Sequence, residues 1–92
     1  FHPVKRDLSL LLNESINYSE LERIAFEVER KILKKLELFD IYEGPKLPKG
    51  KKSYALSFIL QSDEFTLKDK QIENTMQKLQ NAFQDKLGAE LR

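Results

Sequence analysis

The chain has 92 residues, of which 40% are hydrophobic and 34% are charged, and its formal net charge at pH 7 is +1. This length supports one small domain with a single core, and the composition is typical of a folded chain. The absence of cysteine excludes a disulfide framework, a thiolate metal site and a cysteine nucleophile. No apolar run approaches the roughly 18 residues that suggest a membrane-spanning helix. A nucleic-acid partner could therefore be indicated only by where the charges lie, because their sum is nearly zero.

The spacing of the apolar residues predicts four strands and two helices. Alternation of apolar and polar side chains predicts strands over Val4–Leu12, Leu36–Tyr42, Ser53–Gln61 and Ala89–Arg92. Apolar residues at intervals of three and four predict a helix over Ser19–Lys34 and a second helix that ends at Gly88. Ser19 and Thr66 are the predicted N-cap residues, each followed three residues later by an acidic residue. The segment Glu43–Lys52, rich in proline and glycine, is predicted to be a loop.

The order β-α-β-β-α-β is that of the ferredoxin-like fold, an α+β architecture. Each strand has one apolar face and each helix has one apolar stripe. The simplest arrangement that buries them places both helices on one face of a four-stranded antiparallel sheet and leaves the other face open. Right-handed crossovers then predict the strand order 4-1-3-2. We expect residues 1–92 to form this single domain.

The open face of the predicted sheet carries mostly small and polar side chains. In the second strand, alternation directs Phe39 and Ile41 toward the core. Leu38, Asp40 and Tyr42 then point away from it. The outward positions of all four strands include Lys5, Asp7, Ser9, Leu11, Asp40, Tyr42, Ser53, Ala55, Ser57, Glu90 and Arg92. Tyr42 is the one aromatic residue in this set.

The predicted loop that follows Tyr42 is the most basic stretch of the chain. Its four lysines are Lys46, Lys49, Lys51 and Lys52. An open sheet with an aromatic platform and nearby cations is one way of holding unstacked RNA bases. From composition alone, a solvated sheet face is the simpler interpretation of the same residues.

Motifs spread over the whole chain resemble those of one known family. The stretches that carry the resemblance are Val4–Ser9, Leu38–Gly44, Leu47–Ser53, Thr66–Leu67 and Leu87–Arg92. In this order and at these separations they resemble the ferredoxin-fold anticodon-binding domain at the C-terminus of the bacterial phenylalanyl-tRNA synthetase beta subunit. The chain begins without methionine, which fits a segment excised from a longer subunit.

The resemblance implies a tRNA-binding module without chemistry of its own. The parent enzyme joins phenylalanine to its tRNA with ATP and magnesium, at an active site on the alpha subunit. The implied partners are phenylalanine tRNA, the remainder of the beta subunit and the alpha subunit of an alpha2-beta2 assembly, in the cytoplasm and without a membrane. We expect no catalytic residue, no metal site and no cofactor within these 92 residues.

The resemblance also implies the residues of the binding site. Asp40, Tyr42 and Ser53 match the family positions that contact the first anticodon base. In that role a tyrosine stacks on the base, and an aspartate accepts hydrogen bonds from the Watson–Crick edge of guanine. The four loop lysines are candidates for phosphate contacts. We expect a structural rim of the RNA face at Arg6, Asp7 and Arg92, with an ion pair between Asp7 and Arg92.

Other functions of the same fold remain as alternatives at this stage. A regulatory domain that binds a small ligand beside the first helix is the main one, although the loop after the first strand lacks glycine. An acyl-phosphate hydrolase would need glycine and arginine in that loop, which reads Asn13–Tyr18 and contains neither. A metal-transfer domain is disfavoured by the absence of cysteine. A typical RNA-recognition domain would place paired aromatic residues on its central strands, which these strands lack on the open face.

Overall fold

The chain forms one four-stranded antiparallel sheet covered on one face by two helices. The computed structural model describes all 92 residues. The elements in chain order are β1 (Val4–Asn13), α1 (Tyr18–Val28), β2 (Leu33–Tyr42), β3 (Lys51–Leu60), α2 (Asp69–Leu87) and β4 (Glu90–Leu91). The strands are ordered β2-β3-β1-β4 and all neighbouring pairs are antiparallel. The predicted fold class and the predicted order 4-1-3-2 are therefore confirmed.

The core lies between the helices and one face of the sheet. It contains the inward residues of the two central strands and the apolar stripes of both helices, which include Leu10, Leu12, Leu21, Ile24, Leu56, Phe58, Leu60, Ile72, Leu79 and Phe83. The rings of Phe58 and Phe83 pack with their centroids 6.2 Å apart, within the favourable range for aromatic pairs. Because these side chains fill only one face of the sheet, the opposite face has no covering element.

The first helix begins and ends earlier than its sequence pattern predicted. Asn17 is its N-cap residue and Ser19 lies inside the helix, so the predicted capping box is wrong. The helix ends at Val28 because Leu33 is buried opposite Leu60 and has already entered β2. Pairing with the sheet thus outweighs the helical periodicity over the last predicted turn. Residues 29–32 form the connection.

The second helix starts after its predicted cap and ends where the sequence indicated. Lys68, not Thr66, is the N-cap residue. Its backbone N–H donates a hydrogen bond of 2.9 Å to the Oε1 of Gln71, which satisfies one of the free donors near the helix N-terminus. Gly88 ends the helix with φ 65°, and its N–H donates to the carbonyl of Gln84. This left-handed conformation is the one that favours glycine at a helix C-terminus.

β2 contains a bulge that shifts its pairing register with β3 between Leu38 and Asp40. Leu38 lies opposite Leu56 and Asp40 lies opposite Ala55, so Phe39 is an extra residue in the bulge. The bulge reverses the alternation, and Leu38 consequently packs against the core. The prediction that Leu38 points outward is wrong. The core positions predicted for Phe39 and Ile41 are also wrong, because these side chains are 56% and 53% exposed on an edge strand.

Candidate nucleic-acid interface

The open face of the sheet is a shallow surface whose centre consists of small residues. Ser53, Ala55 and Ser57 follow one another on this face of β3. At one end, Ser53 lies between Tyr42 of β2 and Leu11 of β1. The cross-strand pairs further along are Asp40 with Ala55, Ala55 with Ser9, Glu37 with Ser57 and Ser57 with Asp7. Asp40 and Tyr42 therefore lie on the open face, as the alternation in β2 predicted.

Asp40, Tyr42 and Ser53 lie together at the end of this face nearest the 43–50 loop. Tyr42 is directly opposite Ser53, and Asp40 is two residues before Tyr42 on the same strand and face. The Asp40 side chain is exposed and forms no salt bridge. Ser53 is only 4% exposed, since it lies in a central strand between the larger residues Tyr42 and Leu11. The register thus gathers an aromatic ring, a free carboxylate and a hydroxyl on neighbouring strands.

The Tyr42 side chain is bounded by one residue from the loop and one from the C-terminal end of the chain. A Cβ atom added at Gly44 would lie 2.7 Å from the Tyr42 hydroxyl oxygen, so glycine allows the loop to pack against that hydroxyl. The Cζ of Arg92 lies 5.2 Å from the centroid of the Tyr42 ring, within cation–π range. The sequence pattern placed Arg92 on the open face but gave no sign of this contact with Tyr42.

The predicted ion pair between Asp7 and Arg92 is absent. No salt bridge joins the two side chains, and the Arg92 guanidinium lies over Tyr42 instead. The backbone N–H of Arg92 donates to the carbonyl of Ser9, which places Arg92 one pair beyond the β1–β4 ladder. Asp7 lies two residues from Ser9 on β1, and the planar guanidinium packs against an aromatic face instead of this carboxylate.

The four predicted loop lysines occupy different environments. Lys46 and Lys49 are exposed and form no side-chain hydrogen bond. The Nζ of Lys51 donates a hydrogen bond of 2.8 Å to the Oδ1 of Asn13. Lys52 is only 6% exposed, and its Nζ donates to the Ile16 carbonyl and the Tyr54 hydroxyl.

Two residues predicted to contribute to the RNA face lie on the other face of the sheet. Lys52 belongs to β3 rather than to the loop, and it is paired with Leu12 on the helix side. Arg6 is paired with Phe58, also on the helix side, and its Nη1 donates to the Lys5 carbonyl at 2.9 Å. Both placements follow from the period-two alternation of the strands. The predicted rim position of Arg6 is corrected accordingly, as are the loop positions of Lys51 and Lys52, which both belong to β3.

The far end of the open face carries charges that pair with each other. The Nζ of Lys35 lies 2.8 Å from the Oε1 of Glu37. The hydrogen bond from Lys35, together with its charge, lowers the pKa of the Glu37 carboxyl. The same hydrogen bond and the charge of Glu37 raise the pKa of Lys35. Ser57 lies directly opposite Glu37, and its buried hydroxyl has no hydrogen-bond partner.

The open face offers side chains for hydrogen bonding and stacking but not a metal-ligand set. No group of three or more histidine, aspartate or glutamate side chains is close enough to hold a metal ion. Neither helix is long and apolar enough to cross a membrane. The chemistry available at the open face is therefore stacking on Tyr42, hydrogen bonding through Asp40 and Ser53, and charge attraction from the neighbouring loop.

Comparisons with known proteins show the family of the chain. The profile described as "Ferredoxin-fold anticodon binding domain" matches residues 1–92, and the chain belongs to that family. A protein of Porphyromonas gingivalis named phenylalanine–tRNA ligase beta subunit is 54% identical to this chain over 92 residues. Relatives with the same name from Bacteroides fragilis and Clostridium acetobutylicum are 54% and 38% identical over the same length. In each case the match covers 100% of this chain but only 11% or 12% of the relative.

Proposed function

We propose that this domain binds the anticodon loop of a phenylalanine tRNA through the end of its open face formed by Asp40, Tyr42 and Ser53. The observation that supports the proposal is the cross-strand register, which brings these three side chains together on the face that no helix covers. The family to which the chain belongs is described as anticodon-binding. The three side chains also match the kinds of contact by which single-stranded RNA bases are recognised.

Each of the three residues has a distinct proposed role. The Tyr42 ring provides a stacking surface, which is worth about 1–3 kcal/mol for one base and does not depend on the base's identity. The Asp40 carboxylate accepts hydrogen bonds from guanine N1–H and N2–H₂, and so favours guanine at the first anticodon position. The Ser53 hydroxyl lies opposite Tyr42 and provides a further donor or acceptor at the floor of the site.

The lysines of the loop have a supporting role in the proposal. Lys46 and Lys49 are the two that are exposed and unpaired, and Lys51, the first residue of β3, donates its Nζ to Asn13. We propose that these lysines attract the phosphate backbone, which gives binding its dependence on salt. Lys52 is left out of this group because its ammonium is buried on the helix side.

At the level of the whole protein, we propose that the chain is part of the beta subunit of a cytoplasmic phenylalanine–tRNA ligase. The names of the relatives support this, although the chain spans only about 11% of their length. The proposed partners are phenylalanine tRNA, the remainder of the beta subunit and the alpha subunit, in an alpha2-beta2 assembly. ATP and magnesium would act at the active site on the alpha subunit, and the 92 residues alone would not aminoacylate tRNA.

The proposal is tested by titrating the 92-residue chain into a fluorescently labelled anticodon stem-loop of phenylalanine tRNA. Tyr42→Ala is expected to weaken binding by about 5- to 150-fold, the equivalent of one lost stacking interaction. Asp40→Asn is expected to reduce the preference for guanine over other bases at the first anticodon position, while binding to the other stem-loops changes little. Anisotropy at constant salt measures both effects.

Matched substitutions elsewhere in the chain serve as controls. Phe65 is 43% exposed in the connection before α2, and Asp85 is exposed on α2. Phe65→Ala and Asp85→Asn are therefore expected to bind each stem-loop as the unmodified chain does. The proposal would be contradicted if Tyr42→Ala and Asp40→Asn each bound the phenylalanine stem-loop as tightly as these controls.

A further inference from the structure

The stacking face offered by Tyr42 is already occupied in the free domain. The Arg92 guanidinium carbon lies 5.2 Å from the centroid of the ring. Arg92 follows β4 and Tyr42 belongs to β2, and two strands separate β4 from β2. Because neighbouring strands lie about 4.8 Å apart, these two side chains can meet only by reaching toward each other across the sheet. Together they form a bridge over the small residues of the central strands.

Arg92 is held in place by its backbone, whereas its guanidinium has no polar partner. The Arg92 N–H donates a hydrogen bond of 2.8 Å to the Ser9 carbonyl, which fixes the backbone beside β1. The Arg92 guanidinium forms no salt bridge and no side-chain hydrogen bond, and the residue is exposed. Displacement of the guanidinium from the ring therefore breaks no ion pair and no side-chain hydrogen bond.

We infer that Arg92 is the second wall of a slot for an RNA base, with Tyr42 as the first wall. This inference rests on the proposed function of the open face. In the free domain the guanidinium takes the place of the base, and on binding the base enters between the ring and the guanidinium. Guanidinium groups stack on nucleic-acid bases as they do on aromatic rings, because both partners are planar and the base is rich in π electrons.

The distances make this exchange a small movement. A base in contact with two planar groups requires a separation of about 7 Å between them, twice the usual carbon contact distance. Since the Cζ of Arg92 lies 5.2 Å from the ring centroid, the guanidinium would have to move outward by at least about 2 Å. The flexible stem of the arginine can provide this while its backbone hydrogen bond to Ser9 is retained.

Two substitutions of Arg92 distinguish stacking from simple charge attraction. We expect Arg92→Gln to weaken binding of the phenylalanine anticodon stem-loop about tenfold, because one wall of the slot is lost. We expect Arg92→Lys to lose nearly as much, although it keeps the positive charge, since an ammonium group has no plane to stack. Arg30→Gln, at an exposed arginine beyond the C-terminus of α1, is the control and should bind normally.

A stem-loop that lacks the first anticodon base provides the second measurement. With this abasic RNA, Arg92→Gln and the unmodified chain should bind equally, because there is no base for the slot to hold. Circular dichroism of each variant checks that the chain is folded, so that weaker binding caused by unfolding is recognised. The slot would be overturned if Arg92→Gln still weakened binding of the abasic RNA, or if Arg92→Lys bound the stem-loop as tightly as the unmodified chain. Either result would show that Arg92 acts only through its charge.

The two proposals fail in distinguishable ways. If Tyr42→Ala weakens binding and Arg92→Gln does not, the open face is still the RNA surface and only the slot is wrong. If Arg92→Gln tightens binding, Arg92 competes with the base and is not its second wall, which also overturns the slot. If neither substitution changes binding of the stem-loop, the proposed function and the slot fail together.

Discussion

Substitution of Lys52 tests whether this buried lysine stabilises the fold instead of contacting RNA. Its side chain is 6% exposed, and its Nζ donates to the Ile16 carbonyl and, at 2.9 Å, to the Tyr54 hydroxyl. The Nζ also lies 4.5 Å from the centroid of the Tyr54 ring. These contacts fasten the β1–α1 loop to β3. Lys52→Met keeps an unbranched apolar stem but leaves the carbonyl and the hydroxyl without their donor.

The expected cost follows from these two hydrogen bonds. Leaving a buried acceptor without its partner costs about 1–3 kcal/mol, and removing the desolvated ammonium recovers part of that. We therefore expect Lys52→Met to lower the free energy of unfolding by about 2 kcal/mol. With a urea m-value of about 1 kcal/mol per M, the unfolding midpoint would fall by about 2 M.

Urea unfolding followed by circular dichroism measures this loss, and Lys49→Met is the matched control. Lys49 is exposed and makes no side-chain contact of this kind, so its substitution should change stability by less than about 0.5 kcal/mol. In RNA titrations below the unfolding transition, Lys52→Met should leave the salt dependence unchanged. The reasoning would be refuted if Lys52→Met were as stable as the unmodified chain, or if the salt slope fell by about 0.7–0.9, as for one lost phosphate contact.

Three further predictions concern single contacts. In Gly44→Ala the new methyl group would lie 2.7 Å from the Tyr42 hydroxyl and displace a movable ring, so RNA titration should show several-fold weaker binding while urea unfolding shows little change. Gly88→Ala places a Cβ in open space but at φ 65°, so it should cost about 1–2 kcal/mol in urea unfolding. Because Lys35 lowers the pKa of Glu37, their pair stabilises the fold above the unfolded carboxyl pKa, and that contribution disappears as pH falls through the folded pKa. A carboxyl NMR titration should show the Glu37 pKa rising toward its ordinary value in Lys35→Met.

The fold could be predicted from the sequence because its signals are local and repeat in every element. Alternating leucines in β1 and the stripe that includes Leu79 and Phe83 in α2 each specify one buried face. With one buried face per element, the two-layer arrangement and its strand order follow from the chirality of the crossovers. The left-handed Gly88 at the end of α2 was predictable for a similar reason, because helix ends favour glycine there.

The details that could not be predicted depend on tertiary contacts. The bulge at Phe39 is invisible to a count of alternating residues, because one extra residue reverses the parity of the strand. The early end of α1 reflects the pairing of Leu33 with β3, which outweighs an otherwise helical pattern. The burial of Lys52 is another example, since a lysine next to a basic loop normally indicates a solvated side chain.

The same distinction applies to the candidate site. Asp40, Tyr42 and Ser53 could be placed on one face by alternation and by resemblance to the family. The contact of Arg92 with Tyr42 could not, because it joins side chains from strands that are not neighbours. Sequence reasoning instead paired Arg92 with Asp7 on the neighbouring strand, because alternation assigns residues to a face but does not indicate which side chains meet across it.

The central claim is that RNA binds to the open face of the sheet, and NMR mapping of the 92-residue chain with the phenylalanine anticodon stem-loop tests it most directly. Assigned backbone amides and the Tyr42 ring protons report which face the RNA contacts. We predict that the largest shift changes cluster at Asp40, Tyr42, Ser53 and Arg92, with little change on the outer surfaces of the helices. Shift changes concentrated on α1 and α2, with the open face unchanged, would contradict the account.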